Sequence, residues 1–173
     1  MPGNVVFLAI VIAVAVLAVA TMFAFVWFAN RAIGRHYDEL ASRVAPFIDA
    51  EGVVYAEDDV RTRSTWLAPL AVGVQWGRAH VRVTRRAVYL FTFRKLPLSA
   101  GRMGQQVIGA TWAQLPLDPR VGALAKSAVL TERPTIDGDA VVLAGLLGRQ
   151  SFRYRLSSRA PAALAEAVSR IGT

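Results

Sequence analysis

Two histidines, one run of three acids and a long arginine-rich stretch are the groups from which any chemical site in this chain would have to be built. Neither His36 nor His80 has a second ligand at metal-binding spacing. A strand histidine beside Arg82, as His80 is, reads as a hydrogen-bonded surface residue. Glu57, Asp58 and Asp59 would attract a cation. Consecutive carboxylates on one strand point to opposite faces, however, so the three read as a solvated loop. The absence of cysteine removes disulfides and thiolate metal sites. Gly101-Arg102-Met103-Gly104 is not a dinucleotide fingerprint, and no phosphate-binding loop or nucleophile elbow occurs. The reading is of a non-catalytic chain with no cofactor and no metal; an enzyme of unfamiliar type is a minor alternative.

The charge is distributed with a purpose or by composition, and both readings stand. Residues 31–60 carry three Arg and seven acids. Residues 61–102 carry eight Arg and one Lys with no acid. Within that stretch Arg78, Arg82, Arg85, Arg86, Arg94, Lys95 and Arg102 are the candidate contacts to anionic lipid or to a partner. Beside a negatively charged leaflet each basic side chain contributes about 1 kcal/mol. The segment Arg94 to Gly104 adds Leu96, Leu98 and Met103, apolar tips that would enter the headgroup layer. The competing reading is a solvated arginine-rich face, since Arg, Ala and Gly abundance also follows from a GC-rich bacterial genome. Nucleic acid is disfavoured despite a pI of 11.0. No helix-turn-helix, zinc or aromatic RNA-binding pattern accompanies the charge.

The element that would position this charge is the N-terminus. Val5 to Ala29 contains no charged residue and spans about 37 Å as a helix, enough to cross a hydrocarbon core of about 30 Å with tilt. Fifteen of its residues are Val, Leu, Ile or Phe, which favours insertion by about 5–9 kcal/mol. Val5, Leu8, Ile12, Val16, Phe23 and Trp27 mark the anchor. Ala18-Val19-Ala20 resembles a signal-peptidase site. The uncharged residues before the run and its continuation past Ala20 argue for retention. Arg31, Arg35 and Arg43 follow the span, so the positive-inside rule puts the N-terminus outside and the C-terminal domain in the cytoplasm, at the inner membrane. The pairs Ala9–Ala13 and Ala20–Ala24 leave a homodimer through the helix open.

Residues 1–29 therefore form the anchor, 30–45 a helical connector and 46–173 one domain. In the connector Ile33, Tyr37, Leu40 and Val44 share a helical face. That face either packs on the domain, the favoured reading, or forms a short dimer seam. The helix is expected to end before Pro46. Beyond it the period falls to two. Strands are expected at Gly52 to Ala56, Ala71 to Trp76, His80 to Thr84, Ala87 to Phe93, Ser127 to Leu130, Ala140 to Leu147 and Ser151 to Leu156, with a further short one at Gln105 to Thr111. Tyr89 and Phe91 are expected to face the interior. Turns are expected at Gly77-Arg78, Asp137-Gly138 and Gly148-Arg149. A closing helix from Ser158, its N-cap, to Ile171 presents Leu164, Val168 and Ile171.

The stretch Gly77 to Phe93 (GRAHVRVTRRAVYLFTF), with its Thr84-Arg85-Arg86 turn and the aromatic strand after it, resembles pleckstrin-homology-like domains of the GRAM type. The resemblance covers about residues 47–172 and implies an antiparallel open barrel or sandwich of about seven strands, capped by the C-terminal helix. It also implies a binding module tethered to the bilayer, contacting anionic headgroups or another membrane protein. The alternative from a different class is a structural subunit of a membrane assembly.

Overall fold

The computed structural model describes the backbone of residues 2–68, 71–95 and 102–173; side chains are described except at 2–5, 30, 32–34, 36, 37, 66–75 and 94–105. Helix α1 runs unbroken from Pro2 to Ala50, about 73 Å at 1.5 Å per residue. Val6–Ala29 is long and apolar enough to cross a membrane, and none of its most apolar stretch is buried against the rest of the chain. Leu8, Ile12, Val16, Phe23 and Trp27 are all exposed; the side chain of Val5 lies outside the described residues. Thr21 donates its hydroxyl to the Leu17 carbonyl at 2.7 Å, so its polarity is satisfied within the helix.

Pro46 does not end the helix, contrary to the sequence expectation; it lies inside it. Val44 and Ile48 on either side of it are buried. Burying the two contributes about 3–6 kcal/mol, which offsets the roughly 3 kcal/mol that a mid-helix proline costs. The helix stops instead at Gly52, whose φ of 77° belongs to the left-handed region.

Eight strands follow: β1 Val53–Ala68, β2 Ala71–Thr84, β3 Val88–Lys95, β4 Arg102–Trp112, β5 Lys126–Leu130, β6 Thr135–Asp137, β7 Ala140–Leu147 and β8 Gln150–Ser157. Helix α2, Pro119–Gly122, lies between β4 and β5, and helix α3, Pro161–Ser169, ends the domain. The sheet order is β5-β4-β3-β2-β1-β8-β7-β6, and β5 also pairs with β7. Seven strands thus form a closed barrel rather than an open one, with β6 as a hairpin flap on β7. The seam is short: Val129 lies opposite Leu146, and Leu130 opposite Gly145. A Cβ on Gly145 would stand 2.1 Å from the Val129 carbonyl oxygen. Only glycine lets the two backbones approach there.

The pairing departs from the expected antiparallel arrangement at one place. β4 and β5 run parallel, joined by a crossover that contains α2. The turn expected at Gly77-Arg78 is absent, because both residues pair with β1 in the middle of β2. The expected breaks after Ala56 and Trp76 vanish for the same reason. Turns do occur at Asp137-Gly138 and at Gly148-Arg149, with Gly138 and Gly148 at positive φ.

Two cores result. The barrel interior holds Val81, Val83, Val88, Leu90, Ile108, Leu143, Tyr154 and Leu156, closed by Leu164 and Val168 of α3 and by Ile171 in the turn after it. The second core lies outside the barrel wall, where Val44 and Ile48 of α1 cover Tyr89, Phe91 and Val107, with Val121 of α2 at its margin. Tyr89 and Phe91 are buried, but beneath α1 and not in the barrel interior. The wall strand β3 is covered on both faces, which is why it reads as a continuous apolar run. Leu40 packs against the same cluster. Leu40 and Val44 of the connector face therefore seat on the chain's own domain; the side chains of Ile33 and Tyr37 lie outside the described residues.

Candidate anion-binding face

The acids after Tyr55 decide which arginines are available. β1 carries a bulge between Glu57 and Val60, and Asp59 takes a φ of 60°. The extra residue breaks the alternation of the pleat. Asp58 and Asp59 therefore both reach the outer face of β2, which the sequence reading did not anticipate. Asp58 Oδ1 accepts from Arg82 at 2.7 Å and lies 3.0 Å from His80 Nδ1. Arg78 pairs with Asp59. Burial would raise the Asp58 carboxyl, but the Arg82 hydrogen bond and charge, followed by His80, outweigh it and hold it below its usual value. Arg82 also donates to the Val81 carbonyl at 3.0 Å. These acids lie in a strand and not in a loop; their exposed carboxylates neutralise the cations of the neighbouring strand.

Glu57 turns elsewhere. Its Oε2 accepts from the Tyr55 and Ser158 hydroxyls, each at 2.6 Å, and its Oε1 from the Arg159 backbone N–H at 2.8 Å. Burial opposes ionisation, but the bonds from Ser158, Tyr55 and Arg159 prevail and lower its pKa. Ser158 is not the N-cap of α3, a position held by Ala160. Its Oγ accepts from Ala160 N at 3.1 Å, so Glu57 and Ser158 together order the entry to the helix. A second carboxylate, Glu51 at the end of α1, accepts from Thr84 Oγ1 at 2.8 Å and from the Tyr89 hydroxyl at 2.9 Å. Burial, with the Glu51 hydrogen bond and charge, pushes the Tyr89 phenol well above its usual range.

The other candidate residues fall in two places. Arg85 and Arg86 are exposed at the turn between β2 and β3. Arg94 and Lys95 end β3, where they pair with Met103 and Arg102 of β4; their side chains and that of Arg102 lie outside the described residues, as do residues 96–101 entirely. Among the described residues, Arg78 and Arg82 on β2 and Arg85 and Arg86 at the turn do not form one cluster.

A different cluster is gathered, on the outer face of β2, β1 and β8. Arg61 of β1 lies directly opposite Arg78 on one side and Ser157 on the other. Two residues along, Arg63 lies opposite Trp76 and Arg155. These six residues line a cleft of about 540 Å³. Trp76 is 66% exposed, and the Arg63 guanidinium sits over its ring at 4.9 Å. Arg155 pairs with Asp137 at 2.6 Å. The sequence did hold a signal for this cluster: Arg61 and Arg63, like Arg153 and Arg155, are spaced by two and share a strand face. A groove between α1 and the barrel, lined by Asp38, Ala45, Asp49, His80, Arg82 and Phe91, is smaller, about 240 Å³, and of mixed charge.

No protein-family model, curated protein or solved structure matches the chain.

Proposed function

We propose that the chain is a single-pass, membrane-anchored, non-catalytic binding module, with a pleckstrin-homology-like barrel that presents cations to anionic headgroups from the cytoplasmic side. The observation that carries this reading is the continuity of α1, which leads from the apolar span directly into the second core. Leu40 stands eleven helical steps beyond Ala29, about 16 Å of rise. The headgroup layer takes up about 5–8 Å of that. The near edge of the domain is then about one Debye length from the lipid charge. β3 starts at the far end, where Tyr89 meets Glu51, and runs past Phe91, which shares a groove with Ala41 and Ala45. That direction carries Arg94 and Lys95 back toward the anchor.

The cytoplasmic side rests on Arg31 and Arg35, exposed just beyond the span. Arg31 also lies over the Trp27 ring at 5.4 Å, an arrangement suited to the membrane interface. The barrel with its terminal helix and Thr84 turn supports the pleckstrin-homology-like assignment, and the parallel β4–β5 pair departs from it. The non-catalytic reading is supported by the carboxylates: Glu51, Glu57, Asp58 and Asp59 all serve structural hydrogen bonds or ion pairs.

The test is hydrogen exchange on the full chain in nanodiscs of phosphatidylcholine, with and without phosphatidylglycerol. Amides at residues 94–104 should become protected when anionic lipid is present and lose that protection as salt rises. Equal exchange in both discs would sink the lipid reading and favour a contact with another membrane protein.

A further inference from the structure

We infer that the cleft between β2, β1 and β8 is a binding site for a phosphate group, either a phosphorylated small molecule or a lipid headgroup. The inference goes beyond the proposed membrane contact, since the cleft is built from residues of β1, β2 and β8 and includes none of the 94–104 segment. Three observations support it.

The first is register. Arg61 stands directly opposite Arg78, and Arg63 directly opposite Arg155. Like charges facing each other across a ladder disfavour the fold. Two such pairs side by side are an arrangement that an anion relieves. The second is the distribution of counter-charge. Asp59 pairs with Arg78 on one flank, and Asp137 with Arg155 on the other. Among the described residues, Arg61 and Arg63 have no carboxylate partner, so positive charge is left at the centre of the cleft. The third is preorganisation. The Arg63 guanidinium lies over the Trp76 ring, 4.9 Å from its centre. The cation–π contact holds the guanidinium in place, and its N–H groups can form a bidentate bond to two phosphate oxygens. Ser157, directly across from Arg61, adds a hydroxyl with no side-chain partner among the described residues.

The size of the cleft bears on the ligand. A volume of about 540 Å³ is that of a typical small-molecule site. The cleft has room for more than a bare phosphate, so a phosphorylated molecule fits it with its remainder beside the exposed Trp76 ring.

The test uses the full chain in phosphatidylcholine nanodiscs, titrated calorimetrically with inorganic phosphate at constant ionic strength set with chloride. R61Q/R63Q removes the two central cations. R149Q/R170Q, at two exposed arginines outside the cleft, removes the same charge elsewhere. Saturable phosphate binding is expected for the native chain and for R149Q/R170Q, at least tenfold weaker in R61Q/R63Q. The thermal midpoint of R61Q/R63Q should be unchanged or higher, because like-charge pairs are relieved; this shows that weak binding is not misfolding. A phosphate response no greater than that of chloride would overturn the inference. So would equal losses in both double variants, which would mean diffuse charge and no site. Repeating the titration in phosphatidylglycerol discs separates the sources. A headgroup occupant lowers the apparent phosphate affinity several-fold there, and a soluble ligand leaves it unchanged; either result supports the cleft. Because exchange at residues 94–104 is read separately, failure of the membrane contact and failure of the cleft are distinguishable.

Discussion

Replacing Glu57 tests how the barrel holds its terminal helix. Three hydrogen bonds converge on this carboxylate, from Tyr55, Ser158 and the Arg159 N–H. A hydrogen bond to a charged group contributes about 1.5–3 kcal/mol, but the three are not additive here. Water reaches this half-buried site, and Tyr55 and Ser158 remain 3.0 Å apart and bond to each other without Glu57. The expected loss for Glu57→Ala is therefore about 2–4 kcal/mol. Glu57→Gln keeps an acceptor for the two hydroxyls but turns an amide donor toward the Arg159 donor. It should cost about half as much. The pH dependence has a definite sign. The folded-state pKa of Glu57 is lowered, so its contribution is fully present above the unfolded value of about 4.3 and is lost as pH falls through the folded value. Urea unfolding of the full chain in detergent, followed by near-ultraviolet circular dichroism, reads the difference as a midpoint shift at constant slope. A gap between native and Glu57→Ala protein that is as wide at pH 3 as at pH 7 would refute the reasoning.

Other outcomes are equally specific. Tyr89→Phe removes only the hydroxyl bonded to Glu51 and should cost about 1–3 kcal/mol in the same assay. Ile48→Ala, which opens the second core, should cost about 2–5 kcal/mol, and truncating the chain at Pro46 should destabilise the barrel because it deletes Leu40 and Val44. Gly145→Ala forces a Cβ onto the Val129 carbonyl; it should part the β5–β7 seam, seen as lost amide protection across Lys126–Leu130. For topology, a cysteine introduced at Thr173 should resist an impermeant maleimide in intact cells and react after lysis. Labelling in intact cells would reverse the orientation.

Much of the barrel was legible because alternation is a local property. The inward sets Val81–Val83 and Tyr154–Leu156 are spaced by two and occupy the barrel interior, and Leu164 and Val168 of the terminal helix close it together with Ile171, which follows the shorter helix Pro161–Ser169. The candidate cations were less legible. Arg78 and Arg82 read as an open basic face, and their neutralisation depends on a bulge that no periodicity announces. Arg61, Arg63 and Arg155 lie almost a hundred residues apart at the extremes, and only pairing of β1 with β8 makes them neighbours.

The sequence by itself determined the apolar span, the two-residue period, the closing helix and the glycine turns, since each follows from a few adjacent side chains and the backbone angles they allow. Tertiary structure decided what depends on partners distant in sequence. Pro46 continues a helix because Val44 and Ile48 find a sheet to cover. Tyr89 faces α1 and not the barrel interior because the wall is buried on both sides. β5 turns parallel because a crossover through α2 delivers it, and Gly145 closes the seam because two backbones meet there. The choice of which arginines remain uncompensated was likewise made by register, which sets the distance of each charge from its counter-charge, and no one-dimensional count of charge contains that distance.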